Sequence, residues 1–191
     1  MISRPRSAPT CGSQLVRARP AVPISIDNAT ARDFPLIGNL NVAAYREFAP
    51  RIAPAAWRTM QTNLRMVEST AQRATFLIAR LGPEIVGSVA YCPAGKSDPA
   101  IFPPDWASLL LLAVAPQHRG SGIATELVTR CLQRARADGT LTVGLFTSEL
   151  MTTAHRLYER LGFKLAGEIP RRYGLKYWRY QFTLAYSDRV G

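Results

Sequence analysis

A single mixed α/β domain is expected from this chain on three grounds. Segments in which apolar residues alternate with polar ones are interleaved with segments where they recur every three or four residues, so strands and helices share the sequence. One run, Leu109 to Ala115, is apolar throughout and only seven residues long, the pattern of a strand buried on both faces. The clearest amphipathic helix follows it directly, and 191 residues suit one domain with a short extension.

Val22, Ile24 and Ile26 alternate with Pro23, Ser25 and Asp27, which predicts a strand. Asn28 or Thr30 can cap a helix across residues 33–47. After Pro54, the spacing of Trp57, Met60, Leu64 and Val67 predicts a second helix. Two β-rich runs, 74–80 and 84–91, are broken by Gly82-Pro83 and read as a hairpin. Pro93 to Pro104 holds four prolines and reads as a loop before a buried strand over 108–115. Ile123, Leu127, Val128, Cys131, Leu132 and Ala135 then share one helix face, opposite Glu126, Arg130, Gln133 and Arg134, until Gly139 ends the helix. Leu141, Val143 and Leu145 alternate as a strand, and Ala154, Leu157, Tyr158 and Leu161 mark a short helix stopped by Gly162. Runs 163–169 and 177–184 complete the chain as two strands joined by a loop. The order is β-α-α-β-β-β-α-β-α-β-β, without an internal repeat. Residues 1–20, with Arg4, Arg6, Arg17, Arg19 and three prolines, are expected to form a disordered basic arm before a folded domain over 21–187.

Charge and composition exclude several classes of function. There are 24 Lys and Arg against 13 Asp and Glu, a net charge of +11, and all but Lys96, Lys164 and Lys176 of the basic residues are arginine. Such a surface draws nucleic acid, acidic membrane or a phosphate-rich small ligand. No acid precedes Asp27, so part of the excess belongs to the arm, and a nucleic-acid partner rests on charge alone. The seven-residue apolar run is far short of the roughly 20 residues that span a bilayer; no membrane association is expected. Cys11, Cys92 and Cys131 are odd in number and form no CxxC pair, which points to a reducing, cytoplasmic location. His118 and His155 are isolated from one another and from the cysteines, so no metal site is expected.

The chemistry concentrates where the apolar strand meets its helix. Gly120 and Gly122 let a ligand approach the backbone, and the free amides of the helix start make a seat for pyrophosphate, with Arg119 adding a positive charge beside it. A P-loop would need GxxxxGK[ST], and no lysine is near. A dinucleotide fingerprint would need a third glycine at position 125, which is Thr125, and an acid at the end of the next strand, which has none.

Gln117-x-x-Gly120-x-Gly122, preceded by Leu112-Ala113-Val114-Ala115-Pro116, resembles the acyl-CoA motif of the GNAT superfamily of N-acetyltransferases. Ala154-His155-Arg156-Leu157-Tyr158-Glu159-Arg160-Leu161-Gly162-Phe163 is similar to that family's A-x-x-L-Y-E-x-x-G-F helix. The resemblance covers about residues 22–185. It implies a mixed, mostly antiparallel central sheet flanked by about four helices, with the fourth and fifth strands splayed into a cleft. Pantetheine would lie there against Leu112, Ala113 and Val114. Pyrophosphate would sit on the segment Gln117, His118, Arg119, Gly120, Ser121, Gly122, Ile123, Ala124 and Thr125. Acetyl-CoA would be the co-substrate, and a primary amine would attack its thioester directly, with no metal involved. The alternative is a non-catalytic acyl-CoA-binding module.

The resemblance also implies that Tyr158 assists departure of the CoA thiolate; the other reading is a core tyrosine beside Ala154 and Leu157. Phenol and thiol pKa values near 10 and 8.5 make full proton donation uphill by roughly 2 kcal/mol. A hydrogen bond that strengthens as charge builds on sulfur is the better description. The strand over 108–115 lacks the glutamate that many relatives use as a base. Glu149 is a candidate, its other reading being a solvated carboxylate at a helix start, with Asp105 and Glu84 behind it. An α-amine of pKa near 8 needs no strong base. Met151 stands where many relatives have asparagine. Trp57 and Trp106 are candidates for an acceptor pocket or for the core. His118 is expected to face solvent beside the phosphate loop, and His155 to lie on the exposed helix face. Arg171, Arg172, Lys176 and Arg179, interleaved with Tyr173, Tyr177 and Trp178, read as a strand with one wet and one dry face. A monomer or homodimer is expected.

Overall fold

The computed structural model describes residues 23–185. The expected arm over 1–20 lies outside them. Seven strands form one sheet in the order β1-β2-β3-β4-β5-β7-β6. Their ranges are β1 Ile24–Asn28, β2 Thr75–Leu81, β3 Glu84–Cys92, β4 Ala107–Val114, β5 Thr142–Ser148, β6 Lys164–Arg172 and β7 Leu175–Thr183. Pairing is antiparallel except between β4 and β5. That parallel pair is short: Ala107, Ser108 and Leu109 face Val143, Gly144 and Leu145, and the ladder stops there. The two strands lie side by side at one end and do not pair with each other beyond it, each keeping its other neighbour, β3 or β7.

The five helices are α1 Phe34–Tyr45, α2 Pro54–Arg65, α3 Val67–Ala71, α4 Ile123–Ala137 and α5 Thr152–Arg160. Alternation along β3 explains the layers. Val86, Val89 and Tyr91 pack with Leu127, Val128 and Cys131 of α4. Ile85, Ala90 and Cys92 pack with Ile37, Leu40 and Ala44 of α1 on the other face. Gly87 sets how closely α4 approaches: a Cβ there would lie 2.7 Å from Ile123 Cγ2, so only glycine lets the first turn of α4 rest on β3.

Three features differ from the sequence reading. The first helix is shorter than 33–47: it is flanked by 3-10 segments, Ala31–Asp33 and Arg46–Arg51. Its entry is held by Asp33, whose Oδ2 accepts from the Thr30 backbone at 2.8 Å and from the Thr30 hydroxyl at 3.0 Å, while Arg80 pairs with Oδ1 at 2.6 Å. The single helix expected after Pro54 breaks at Met66, whose ψ of 51° is not helical, so the described residues hold five helices, in keeping with the expected GNAT-like arrangement. Finally, the loop expected between the last two strands is a tight turn. Tyr173 and Gly174 have φ of 56° and 78°, the two consecutive left-handed residues of a two-residue hairpin, and β6 and β7 run up to it on both sides. Pro170 is tolerated because β6 is an edge strand.

Candidate active site

The divergence of β4 from β5 opens a cavity of about 970 Å³. One of its walls is β4, distorted where it passes the opening. Ala90 of β3 faces Leu110 and Ser88 faces Ala113, so Leu111 and Leu112 together oppose Val89, which makes a β-bulge. Leu111 carries the cost, with φ 55°; a left-handed non-glycine residue typically costs about 1–3 kcal/mol. Leu112, Ala113 and Val114, expected to lie against pantetheine, all line the cavity.

The glycine loop closes one end. Gly120 and Gly122 have φ of 77° and 85°, and a Cβ built on either meets nothing within 4 Å. The space over the loop is therefore open, and Gly122 is the N-cap of the 15-residue α4, whose first amides have no intrahelical partners. His118, Arg119, Gly120, Gly122, Ile123, Ala124 and Thr125 reach the cavity; Gln117 and Ser121 do not line it. Ser121 instead donates to the His118 carbonyl at 2.6 Å, bracing the loop from within. The Arg119 side chain is not free over the seat: it pairs with Glu47 at 2.7 Å and donates to the Ala44 carbonyl at 2.7 Å. The cavity wall is nonetheless basic, with Arg51, Arg73, Arg160 and Arg172 besides Arg119, against the carboxylates of Glu47 and Asp98.

Tyr158 of α5 is packed in the core and also faces the cavity. It is 6 % exposed, stacks near Phe163 and Tyr180, and lines the cavity. Burial, with Tyr45 nearby, pushes its phenol well above the ordinary value, so it carries its proton at neutral pH. Tyr45, Tyr173 and Tyr177 line the same cavity. Burial and then Tyr173 push Tyr45 up to about 12, and burial also raises Tyr177. No periodicity or motif marks Tyr45 of α1, while Tyr173 and Tyr177 come from the alternating segment of the last hairpin. Asn63 donates to the Tyr173 hydroxyl at 2.7 Å.

Several expectations are corrected. Glu149 is outside the cavity. It follows β5, is exposed, and its Oε1 accepts from the Lys176 backbone at 3.0 Å, beside a separate depression that also holds His155 and Trp178. Asp105 and Glu84 are exposed and line neither hollow. His155 is half-buried rather than on an open face. Its Nε2 lies 3.0 Å from the Ser148 carbonyl, which can only accept, so Nε2 carries a hydrogen; Nδ1 lies 2.9 Å from the Tyr180 hydroxyl. Trp57 and Trp106 pack into the core cluster near Phe102 and Tyr177 and do not line the cavity. Arg179 is turned inward, donating to the Ile101 carbonyl at 2.7 Å and lying over the Trp106 ring. Arg172 lies over Phe146 on the cavity wall. The wet-face, dry-face reading therefore fails at Arg172 and Arg179, whose guanidinium groups lie over aromatic rings, and holds at Arg171 and Lys176, which are exposed.

The sequence profile of the acetyltransferase (GNAT) family matches residues 37–163. The chain belongs to this family. The match runs from α1 through α5 and takes in the parted strands, the glycine loop and Tyr158. Among curated proteins, N-acetyltransferase 8F1 of Rattus norvegicus is 39% identical over 105 residues, 55% of this chain and 45% of that protein. N-acetyltransferase 8B of Homo sapiens is 34% identical over 118 residues, 62% of this chain and 51% of that protein. The chain thus spans about half the length of the curated relatives it matches. Two solved structures share its fold. The paia N-acetyltransferase of Thermoplasma acidophilum in complex with coenzyme A has a TM-score of 0.67 at 14% identity, covering 84% of this chain and 99% of that one. A GNAT family acetyltransferase of Brucella melitensis in complex with acetyl-CoA has a TM-score of 0.60 at 19% identity, covering 89% and 94%. Among the described residues of this GNAT protein no cluster of His, Cys, Asp or Glu is placed to hold a metal, and no helix is long and apolar enough to cross a membrane.

Proposed function

We propose that this protein transfers the acetyl group of acetyl-CoA to a primary amine, in one direct step. The observation that carries the reading is the 970 Å³ cavity between the parted strands, with an open glycine loop at one end and a buried tyrosine in its wall. Loop amides at the start of α4 receive the pyrophosphate, and the excess of arginine suits a ligand with several phosphates. Beyond Leu109 the edge of β4 has no strand partner on the β5 side, so pantetheine can pair with it as an added strand. The bulge at Leu111–Leu112 leaves a backbone position without a ladder partner, a donor suited to the thioester oxygen.

The nitrogen lone pair attacks the thioester carbon. The C–N bond forms, the C–S bond breaks, and the pair from that bond leaves on sulfur. Tyr158 donates a hydrogen bond to the departing thiolate; with its phenol raised by burial, outright proton transfer is even less favourable than in water. No carboxylate is assigned as base. Of the cavity acids, Glu47 is paired with Arg119, and Asp98 accepts from the Ala100 backbone at 3.0 Å. Water removes the amine proton, and the fraction of neutral amine governs the rate. Cys92 and Cys131 are buried free thiols, which supports assignment to a reducing, cytoplasmic compartment.

Thermal unfolding with acetyl-CoA, with NAD and ATP as controls, tests the binding step. At a hundredfold excess over Kd the stabilisation is about 2.7 kcal/mol, or roughly 5–10 °C for a chain of this size. A thiol-release screen over primary amines then tests transfer. Binding without thiol release would favour the non-catalytic acyl-CoA module; no binding would reject both readings.

A further inference from the structure

Among the described hydrogen bonds and ion pairs, one side chain joins the glycine loop to the C-terminal end of α1. Arg119 precedes Gly120, yet its guanidinium reaches away from the anion seat. Nη2 donates to the Ala44 carbonyl at 2.7 Å, and Nη1 pairs with Glu47 Oε1 at 2.7 Å. Ala44 lies in the last turn of α1, where carbonyls lack helical partners and the dipole favours a cation. Glu47 belongs to the 3-10 segment Arg46–Arg51 that continues α1. This stretch supplies Tyr45, Phe48 and Arg51 to the cavity wall.

We infer that Arg119 is a positioning residue that couples occupancy of the loop to the order of the wall over residues 44–51. The inference rests on the assignment of the loop as the acetyl-CoA seat. The Arg119 side chain is 39% exposed and that of Glu47 is 49% exposed, so the ion pair alone is a weak fastening. The charge-assisted bond to a helix-end carbonyl adds direction to it. Both anchors fix the far end of a side chain whose near end is the loop backbone. An anion that orders residues 119–122 therefore fixes the origin of the tether, and the wall tightens as the loop does. The coupling is carried by a side chain and a carbonyl, so it survives replacement of the anion seat's neighbours but not of Arg119.

Hydrogen exchange followed peptide by peptide on the whole chain, with acetyl-CoA as the probe, tests this. In the wild type, acetyl-CoA should slow exchange over 44–51 by at least about threefold, together with the loop. Arg119→Gln, measured at acetyl-CoA concentrations that saturate the variant, should lose that remote protection while protection of residues 120–125 remains. Glu47→Gln, which leaves the loop sequence intact, should reduce the remote protection in part, and the double variant should be no worse than Arg119→Gln alone. A rise of about tenfold or more in the acetyl-CoA Kd of Arg119→Gln, with exchange over 44–51 unchanged, would make Arg119 a phosphate ligand and overturn the inference. Remote protection that persists in Arg119→Gln would overturn it as well. Should the wild type not bind acetyl-CoA, the proposed function fails separately; unliganded Arg119→Gln must still exchange faster over 44–51, and equal rates would reject the tether.

Discussion

At Tyr158 the proposed hydrogen bond to the leaving sulfur draws on the same environment that packs the ring. The ring fills a place near Phe163 and Tyr180, and that burial raises the phenol pKa and keeps its proton on. Tyr158→Phe preserves the packing and removes one hydroxyl, so its effect isolates the hydrogen bond to the leaving sulfur. We expect kcat to fall at least about tenfold, the loss of roughly 1.4 kcal/mol of transition-state stabilisation, with little change in acetyl-CoA affinity by calorimetry. An unchanged kcat would reduce Tyr158 to a core residue. Without a carboxylate base, the pH profile of kcat/KM should follow the pKa of the acceptor amine. Two amines whose pKa values differ by about one unit should show rising limbs displaced by the same amount. A common limb that ignores the amine would reveal a base on the protein.

At the scale of elements, the junction of β3, β4 and α4 decides whether there is a site at all. The first turn of α4 must come close enough to the sheet to aim its amides across the opening, and Gly87 sets that distance. Gly87→Ala drives a Cβ to 2.7 Å from Ile123 Cγ2, a β-branched side chain with little freedom to turn away. Overpacking of this kind costs about 1–3 kcal/mol, so we expect a lower Tm and weaker acetyl-CoA binding together. A lower Tm with unchanged affinity would show that the loop keeps its geometry without the helix seated. This junction was legible from sequence because it rests on periodicity: a continuous apolar strand, two glycines and an amphipathic helix occur in register. What periodicity does not encode stayed hidden. The bulge at Leu111 lies inside an apolar run that reads the same with or without it. The Met66 break has no glycine or proline to announce it, and Tyr173-Gly174 forms a two-residue turn where the expected loop was longer. The Glu149 assignment failed for a related reason: a place in the chain just after β5 does not say which side of the sheet edge a side chain takes. Tyr45 and Tyr177 come from opposite ends of the chain, so only the fold brings them to one cavity.

For the molecule as a whole, the phenols buried around the sheet make alkaline pH a sensitive measure of its integrity. Tyr91 is fully buried, Tyr158 is 6 % exposed and Tyr177 is 4 % exposed. All three have pKa values raised above 10, by burial first in each case; Tyr91 also donates to Asp138 at 2.7 Å, joining β3 to the end of α4. The folded protein therefore holds these protons where the unfolded chain releases them near pH 10. Their stabilising contribution is complete below pH 10 and declines as pH rises beyond it, because the unfolded state gains by ionising. At pH 11 the unfolded chain gains about 1.4 kcal/mol for each such phenol, or roughly 4 kcal/mol for three. For a chain of this size that lowers Tm by roughly 8–16 °C between pH 9 and pH 11. Tyr91→Phe lies away from the cavity and should flatten the decline by about a third while lowering Tm at neutral pH through loss of the Asp138 bond. Calorimetric scans across this range decide the matter: a Tm that holds steady to pH 11 would mean that these hydroxyls are wet in solution. The closed wall around Tyr158, on which its role as a neutral donor depends, would then be wrong as well.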